Sequence, residues 1–421
     1  MLKKVRIGVV GVGRGRTMIN YCTKAQNAQV VAICDKWKEG LEDYQKKLND
    51  PSVAFYDDFE EFLKHDMDAV VLANYANEHA PFAIRCMEAG KHVFSEVLPV
   101  QTMAEAVALI ECVERTGMIY AYGENYCYMP APREMRRIYR SGALGEFTYG
   151  EGEYIHNCAP IWPDITYGEP DHWRNHMYAN FYCTHSIGPL IHISGLRPVS
   201  VVGFETPFDR RAYQEGNQSG CHGLELITLE NGAVIKSVHG GLARNSIWYS
   251  VYGTRGTVES AREITQNGDV SRIFTNIGWD DGDDYDHVMN YKPNEHLSWE
   301  SRGYGHGGSD FFTMYNFAEK VLGNPDAEII DVYEAMDMFL PGMFAYRSVL
   351  GGNNRMDIPN LRNKQEREKW RHDTTCTDPK VAGDMLIPSY SKGNPEIPQE
   401  VYDKVRAEWI RRCEVRNSNL R

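Results

Sequence analysis

No block of lysines or arginines occurs in this 421-residue sequence, whose formal charge is −13. Nucleic acids and anionic membrane surfaces are recognised by a concentrated basic face. Both are therefore excluded as expected partners, and a small molecule is favoured. There is no C-x-x-C pair: the ten cysteines are scattered, which argues against a zinc module or a short disulfide framework and suits a reducing compartment. No apolar run approaches the roughly 20 residues of a membrane span. Only "MLKK" precedes the first apolar run, too little for a secretory leader, so a cytoplasmic protein is the expectation. No internal repeat occurs.

What is present is apolar content of 42%, ample for two cores at this length. From residue 5 to about 125, short β-branched runs ("VRIGVV", "QVVAICD", "DAVVLAN", "HVFSE") alternate with helix-period stretches at 15–26, 36–48, 78–89 and 102–116. Continuous apolar strands between helices mark a parallel sheet covered on both faces. Residues 1–125 are thus expected to form a doubly wound α/β domain. After about 145 the texture turns to period-2 runs, as in "GLELITLENGAVIKSV", where Asn231-Gly232 supplies a hairpin turn, and "SIWYSVYGTRGTVES". An α+β domain with a large, mostly antiparallel open sheet is expected over 126–364. One of its helices, "SDFFTMYNFAEKVLG", is read with Ser309 as N-cap and Gly323 as stop. The polar, Pro-interrupted stretch 365–421 reads as a peripheral arm or subunit contact with a short amphipathic helix at 399–412.

"VRIGVVGVGRGRTM" sets glycines at the first strand–helix turn, where backbone amides approach a pyrophosphate and the helix N-terminus offers its positive end. Gly11 and Gly13 satisfy the G-x-G-x-x-G fingerprint, while Arg16 holds its third position and Gly15 stands one place early. The next strand ends at Asp35, at the spacing of about 20 residues from which a carboxylate takes the adenosine ribose hydroxyls. A carboxylate there repels a 2′-phosphate, so NAD is the expected cofactor, with Lys36 and Arg16 as cations that would suit NADP.

"DAVVLANYANEHAPFAIRCMEAGKHVFSEVLP" resembles the fourth and fifth strands of the Gfo/Idh/MocA oxidoreductases, a likeness running over about 1–360. It implies that Asn74 and His79 lie near the nicotinamide half of NAD and that Glu96 holds its ribose. Dehydrogenases of that family carry a Glu-Lys-Pro lysine where this chain has Val97. They also carry an Asp-x-x-x-His pair where it has His185 and Pro189. At these positions the chain is similar to the NAD-dependent glycosidases of glycoside hydrolase family 109. The shared segments are "SEVLPV", "GENYCYM", "GEFTYGEGEYIHN", "HWRNH" and "NFYCTHSIGPL", with departures at Cys183 and Ser186 and no leader segment.

That resemblance implies a glycosidase that oxidises sugar C3 transiently, eliminates across C1–C2, adds water and re-reduces the ring. Tyr154, Tyr182, His185 and Glu124 match its active-site positions. Asn125, Trp173 and Arg174 are taken as cofactor or substrate anchors, and "GHGGSD" with His306 as a loop closing the site. A tyrosine is a weak base unless cations lower its pKa. The alternatives are a sugar 3-dehydrogenase that stops at the ketone and a non-catalytic sugar or NAD sensor. His156, His172, His176 and His192 come without cysteine pairs, so no metal is expected. Aromatic-rich strands over 224–252 would leave an apolar face in a monomer, so a homodimer or homotetramer is expected.

Overall fold

The structure, a computed structural model, describes residues 4–241, 245–261, 272–278, 286–294, 297 and 299–418. The outermost residues of the first and last expected segments, 1–3 and 419–421, lie outside it. The first domain runs β1 (Val5–Val10), α1 (Arg16–Lys24), β2 (Ala28–Cys34), α2 (Lys38–Leu48), β3 (Ala54–Tyr56), α3 (Phe59–Leu63), β4 (Ala69–Leu72), α4 (His79–Glu88), β5 (His92–Ser95), α5 (Met103–Thr116) and β6 (Tyr120–Tyr122). Its sheet is parallel in the order β3-β2-β1-β4-β5-β6. This is the doubly wound topology whose switch point lies between β1 and β4, where ligands bind outside the carboxyl strand ends. Burial follows from the sequence: every residue of "AVVL" in β4 is enclosed, since helices cover both faces. Local signals set the helix ends. Thr102 caps α5 through the Glu105 amide (3.1 Å), Glu105 reaches back to the Gln101 amide (2.6 Å), and left-handed Gly117 stops it.

The second domain continues with α6 (Pro130–Arg140), β7 (Phe147–Ile155), α7 (Trp162–Thr166), α8 (Trp173–His176), α9 (Thr184–Ser194), β8 (Pro198–Glu205), α10 (Arg210–Glu215), β9 (His222–Leu229), β10 (Val234–Gly240), β11 (Ser246–Gly253), β12 (Gly256–Ser260), β13 (Ile273–Ile277) and β14 (Val288–Tyr291). Then come α11 (Ser309–Val321), α12 (Val332–Leu350), β15 (Met356–Asp357), α13 (Lys364–Glu368), α14 (Pro379–Ala382) and α15 (Gln399–Ser418). The nine-stranded sheet has the order β14-β13-β12-β11-β7-β10-β9-β8-β15 and is antiparallel except for β7 beside β10. Its inner face packs on α9 and α12, and alternation along β10 is strict. A Cβ at Gly152 of β7 would lie 1.8 Å from the Ser186 carbonyl oxygen, so glycine there lets α9 seat directly on the sheet.

Two expectations are corrected. Ser309 is the first helical residue of α11 rather than its cap, a place taken by Gly308 at φ 91°. Three successive left-handed residues, His306, Gly307 and Gly308, turn the chain so that Asp310 in the first turn faces inward. The stretch after 364 is also more than a peripheral tail. Arg367 is buried against Glu114 of α5, Arg371 pairs with Glu111 (2.7 Å), and α15 extends to Ser418 beside α7.

Candidate active site

A cavity of about 1110 Å³ opens where the carboxyl ends of the first sheet meet the inner face of the second. On its first-domain side the glycine turn is shaped by close approach. Gly11 sits at φ 100°, where a Cβ would lie 2.4 Å from the Ala73 carbonyl oxygen, and a Cβ on Gly15 would lie 2.1 Å from that of Gly11. Gly15, one place early, thus does the helix–strand packing of the fingerprint's third glycine. A Cβ at Gly13 would meet only the Tyr167 hydroxyl, at 3.9 Å, and the residue is exposed, leaving its backbone accessible to a pyrophosphate. Asp35 follows β2 and accepts from the Val12 amide (2.7 Å) and the Trp37 amide (2.9 Å), which fixes its carboxylate beside the turn. The cations that would suit a 2′-phosphate are engaged elsewhere. Lys36 pairs with Glu78 (3.2 Å) and lies over the Tyr75 ring, while Arg16 donates to the Val12 carbonyl (2.8 Å). Asn74 lines the cavity with its amide nitrogen on Glu78 (3.1 Å) and its buried Oδ1 unpartnered, an acceptor suited to a ligand hydroxyl or amide.

Sequence reasoning missed Arg14, for nothing in "GVGRGR" separates it from a solvated arginine. Its guanidinium forks onto Asp310 (2.7 and 2.8 Å) and meets Glu96 (2.9 Å), tying the glycine turn to α11. Asn125 donates to Asp310 (2.9 Å), and His306 lies 3.1 Å from it. Burial would raise the Asp310 pKa, but Arg14 and His306 override it and hold the carboxyl well below its ordinary range. For Glu96 burial prevails over Arg14, and its pKa is raised. His79 does not reach the cavity. It is buried with Nδ1 2.8 Å from the Leu98 carbonyl oxygen, bracing the Glu96–Leu98 segment from behind.

On the second-domain side, α9 carries the proton-handling core. Pro189 inside the helix has no N–H for the His185 carbonyl four residues earlier. The Tyr249 hydroxyl of β11 donates to that carbonyl instead (2.5 Å). The His185 ring is held by Glu124, which is wholly buried at the end of β6, with Nδ1 to Oε1 at 2.6 Å. Glu124 also accepts from the Thr184 hydroxyl (2.8 Å) and the Tyr126 amide (3.2 Å). One carboxylate oxygen therefore fixes the imidazole, leaving its Nε2 for a substrate.

Around this dyad stand Tyr154 and Tyr182, whose rings lie 4.7 and 5.2 Å from the His185 ring. Burial raises the Tyr182 pKa and Arg174 opposes that rise, donating to the hydroxyl (3.4 Å) with its guanidinium over the ring at 4.9 Å. Burial raises Tyr154 well above the ordinary value, so its hydroxyl is a proton donor in the resting site. It sits 3.2 Å from Nδ1 of His156, and burial, with the neighbouring histidines and Arg174, pushes the His156 pKa down to about 4. His156 therefore stands neutral beside Tyr154, with Cys158 also 3.2 Å from its Nδ1. Arg174 gathers with the tyrosines rather than with the glycine turn, whereas Trp173 stacks on His172, which faces Tyr75 of the first domain. His239 of the wall stands 3.4 Å from Glu225, which is buried behind it, and is the register partner of Tyr154. "SVHGG" offers no motif that singles it out.

Among the described residues no cluster of three metal-ligating side chains exists. His172 and His176 stand four apart, but Nδ1 of His172 accepts from the Arg174 amide and Nε2 of His176 lies 2.9 Å from the Pro170 carbonyl oxygen; His192 binds Glu334. None of the ten cysteines is disulfide-bonded, and no described helix is long and apolar enough to cross a membrane.

Residues 5–124 match the model of an oxidoreductase family with an NAD-binding Rossmann fold (GFO_IDH_MocA), and residues 205–370 match the C-terminal domain of glycosyl hydrolase 109. Glycosyl hydrolase family 109 proteins of Saccharopolyspora erythraea and Streptomyces filamentosus are 27% and 28% identical over 409 residues. Each alignment covers 87% of this chain, and 84% and 78% of the relatives respectively. Among solved structures, an oxidoreductase from Agrobacterium radiobacter in complex with NAD⁺, L-tartaric acid and magnesium superposes with TM-score 0.69 at 15% identity, covering 84% of this chain and 98% of that one. Scyllo-inositol dehydrogenase from Lactobacillus casei, with bound NAD(H) and scyllo-inositol, gives TM-score 0.66 at 18% identity over 86% of this chain and 100% of that one. The two-domain fold is shared with both.

Proposed function

Because the chain joins the NAD-binding Rossmann domain of the Gfo/Idh/MocA oxidoreductases to the C-terminal domain of glycosyl hydrolase 109, we propose that it is an NAD-dependent glycosidase working by oxidation and elimination. The observation that carries this reading is where the proton handlers sit. The strand end that holds a lysine in related dehydrogenases carries apolar Val97, while Glu124–His185, Tyr182–Arg174 and Tyr154–His156 converge on the cavity from beyond the first sheet. Gly11, Gly13, Asp35 and Asn74 would hold NAD, which would supply reversible oxidation of a sugar hydroxyl carbon. Tyr182 takes the C3 hydroxyl proton in its phenolate form, which Arg174 stabilises against the burial that raises its pKa, so its own proton must first leave to solvent. His185, oriented by Glu124, removes the C2 proton that a C3 ketone acidifies. Tyr154, protonated and backed by His156, donates to the leaving oxygen. The cavity walls limit bulk water, which strengthens each of these interactions.

A dehydrogenase that stops at the ketone would need the same hydroxyl base but no C2 base and no leaving-group acid. A screen of nitrophenyl glycosides with and without added NAD⁺, run in D₂O, separates the two. Glycosidase action releases nitrophenol without net NADH and places deuterium at sugar C2. Accumulation of NADH with intact glycoside would assign the protein to the dehydrogenases, and cleavage at full rate with NAD stripped away would refute the mechanism. The outer face of the second sheet exposes Phe204, Leu226 and Tyr252, and we read it as the contact of a homodimer or homotetramer.

A further inference from the structure

The arm that ends the chain returns to the cavity. Arg406, Trp409 and Cys413 of α15 line it together with Asp35, Trp37 and Tyr167. Resting on NAD as the ligand of this cavity, we propose that α15 is an adenosine-holding wall supplied by the chain's own C-terminus, with Trp409 as its contact to the purine.

The placement follows from the first domain. In a dinucleotide laid along the glycine turn, the pyrophosphate meets Gly13 and the adenosine ribose meets Asp35, so the purine emerges beyond the end of β2, beside Trp37. Trp409 stands there, its ring 6.1 Å from that of Trp37 and 5.5 Å from Tyr167, forming an aromatic corner too close for a base to enter between the indoles but open to one lying against them. Arg406 covers Trp409 at 4.5 Å, which fixes the indole. The helix itself is held in place. Arg412 binds Asp164 (2.8 Å) and the Pro160 carbonyl (2.7 Å), Arg416 binds Asp164 (2.9 Å), and Arg406 binds the Tyr167 carbonyl (3.1 Å). At Gly168 a Cβ would lie 2.4 Å from the Arg406 amide nitrogen, so the loop after α7 runs against the helix backbone. Tyr402 anchors the start of α15 on the Gly216 carbonyl (3.2 Å). A purine is uncharged with two apolar faces, which suits an indole corner. Of the carboxylates in the same lining, Asp57 is paired with Lys38 and Asp164 with Arg412 and Arg416, so the corner offers a phosphate no free cation from those pairs, and Glu39 disfavours one. The ion pairs holding α15 are partly solvated.

The test compares Trp409→Ala and Trp409→Phe with the unaltered full-length chain, measuring dissociation constants for ADP-ribose and for nicotinamide mononucleotide by calorimetry, and the rate of NAD release by stopped flow. Loss of one base-stacking indole costs about tenfold in affinity. Trp409→Ala is expected to weaken ADP-ribose and speed NAD release by about that factor, with nicotinamide mononucleotide unaffected and Trp409→Phe close to the unaltered chain. Unchanged ADP-ribose affinity, or equal loss for both half-ligands, would overturn the proposal while leaving NAD in the cavity. Failure of the unaltered chain to bind NAD would instead remove the reading on which it rests.

Discussion

Glu124→Gln isolates the charge of the buried carboxylate, because the amide keeps nearly the same shape in a site with no room to spare: a Cβ added at Gly188 would lie 2.9 Å from Glu124 Cγ. The oxygen of the new amide still accepts from the Tyr126 amide and from His185 Nδ1, and its NH₂ meets the Thr184 hydroxyl, which retains a lone pair for it. The fold should therefore persist, with unfolding shifted little. What is lost is the charge on the bond to the imidazole at 2.6 Å, about 1 kcal/mol by the difference between bonds to charged and to neutral groups. That difference matters most when His185 carries the extra proton, hence in the transition state of proton removal. It converts to a fall in kcat of about fivefold at nearly constant KM. Steady-state kinetics on a nitrophenyl glycoside, with NAD content checked by absorbance, measures it. A variant that keeps more than half the original kcat would refute the assignment of Glu124–His185 to the proton path, and a rise in KM alone would mark the pair as substrate-binding only.

Val97→Lys should not improve glycoside cleavage, since the proton handlers lie on the other wall; a severalfold gain in kcat would contradict that division of labour. Arg14→Ala strands the buried Asp310 and Glu96 carboxylates and should cost about 3–5 kcal/mol in denaturant unfolding, whereas a loss below 1 kcal/mol would deny the latch its structural weight. Acid should destabilise the fold through His156 and His172, pushed down to about 4 and about 3 by burial. Between pH 6.5 and those values the unfolded chain binds more protons, so stability falls as pH drops, by about 3 kcal/mol for His156 alone. His156→Gln should flatten the thermal unfolding profile over that window. Light scattering at micromolar concentration should show a dimer or tetramer that Leu226→Glu dissociates.

The first sheet was legible because its strands are unbroken β-branched runs that only burial on both faces explains, and because Asn231-Gly232 forces a hairpin wherever it sits. β3 and β6, three residues each, carry too little pattern to be seen beside their longer neighbours. Residues brought together by ordered motifs, such as Glu124 and His185, were named from sequence, while Arg14, His239 and Trp409 were not. Their roles come from pairings across the fold, and no local spacing encodes a partner nearly 300 residues away. The Ser309 cap failed for a related reason: a serine before an apolar run signals a helix start, but the tertiary demand to aim Asp310 at Arg14 moved the cap to glycine.

Arg14 also bears on how the cleft could open. A bolt between the glycine turn and α11 spans one side of the cleft, so opening the cleft there would have to break the Arg14–Asp310 fork first. The cavity's lining differs from place to place: Arg406, Trp409 and Cys413 of the C-terminal helix stand beside Asp35, and Tyr154 and Cys158 beside His156. An inhibitor built to mimic the sugar meets a surface already half made of bound nucleotide, and its fit is judged against the loaded protein rather than the bare chain.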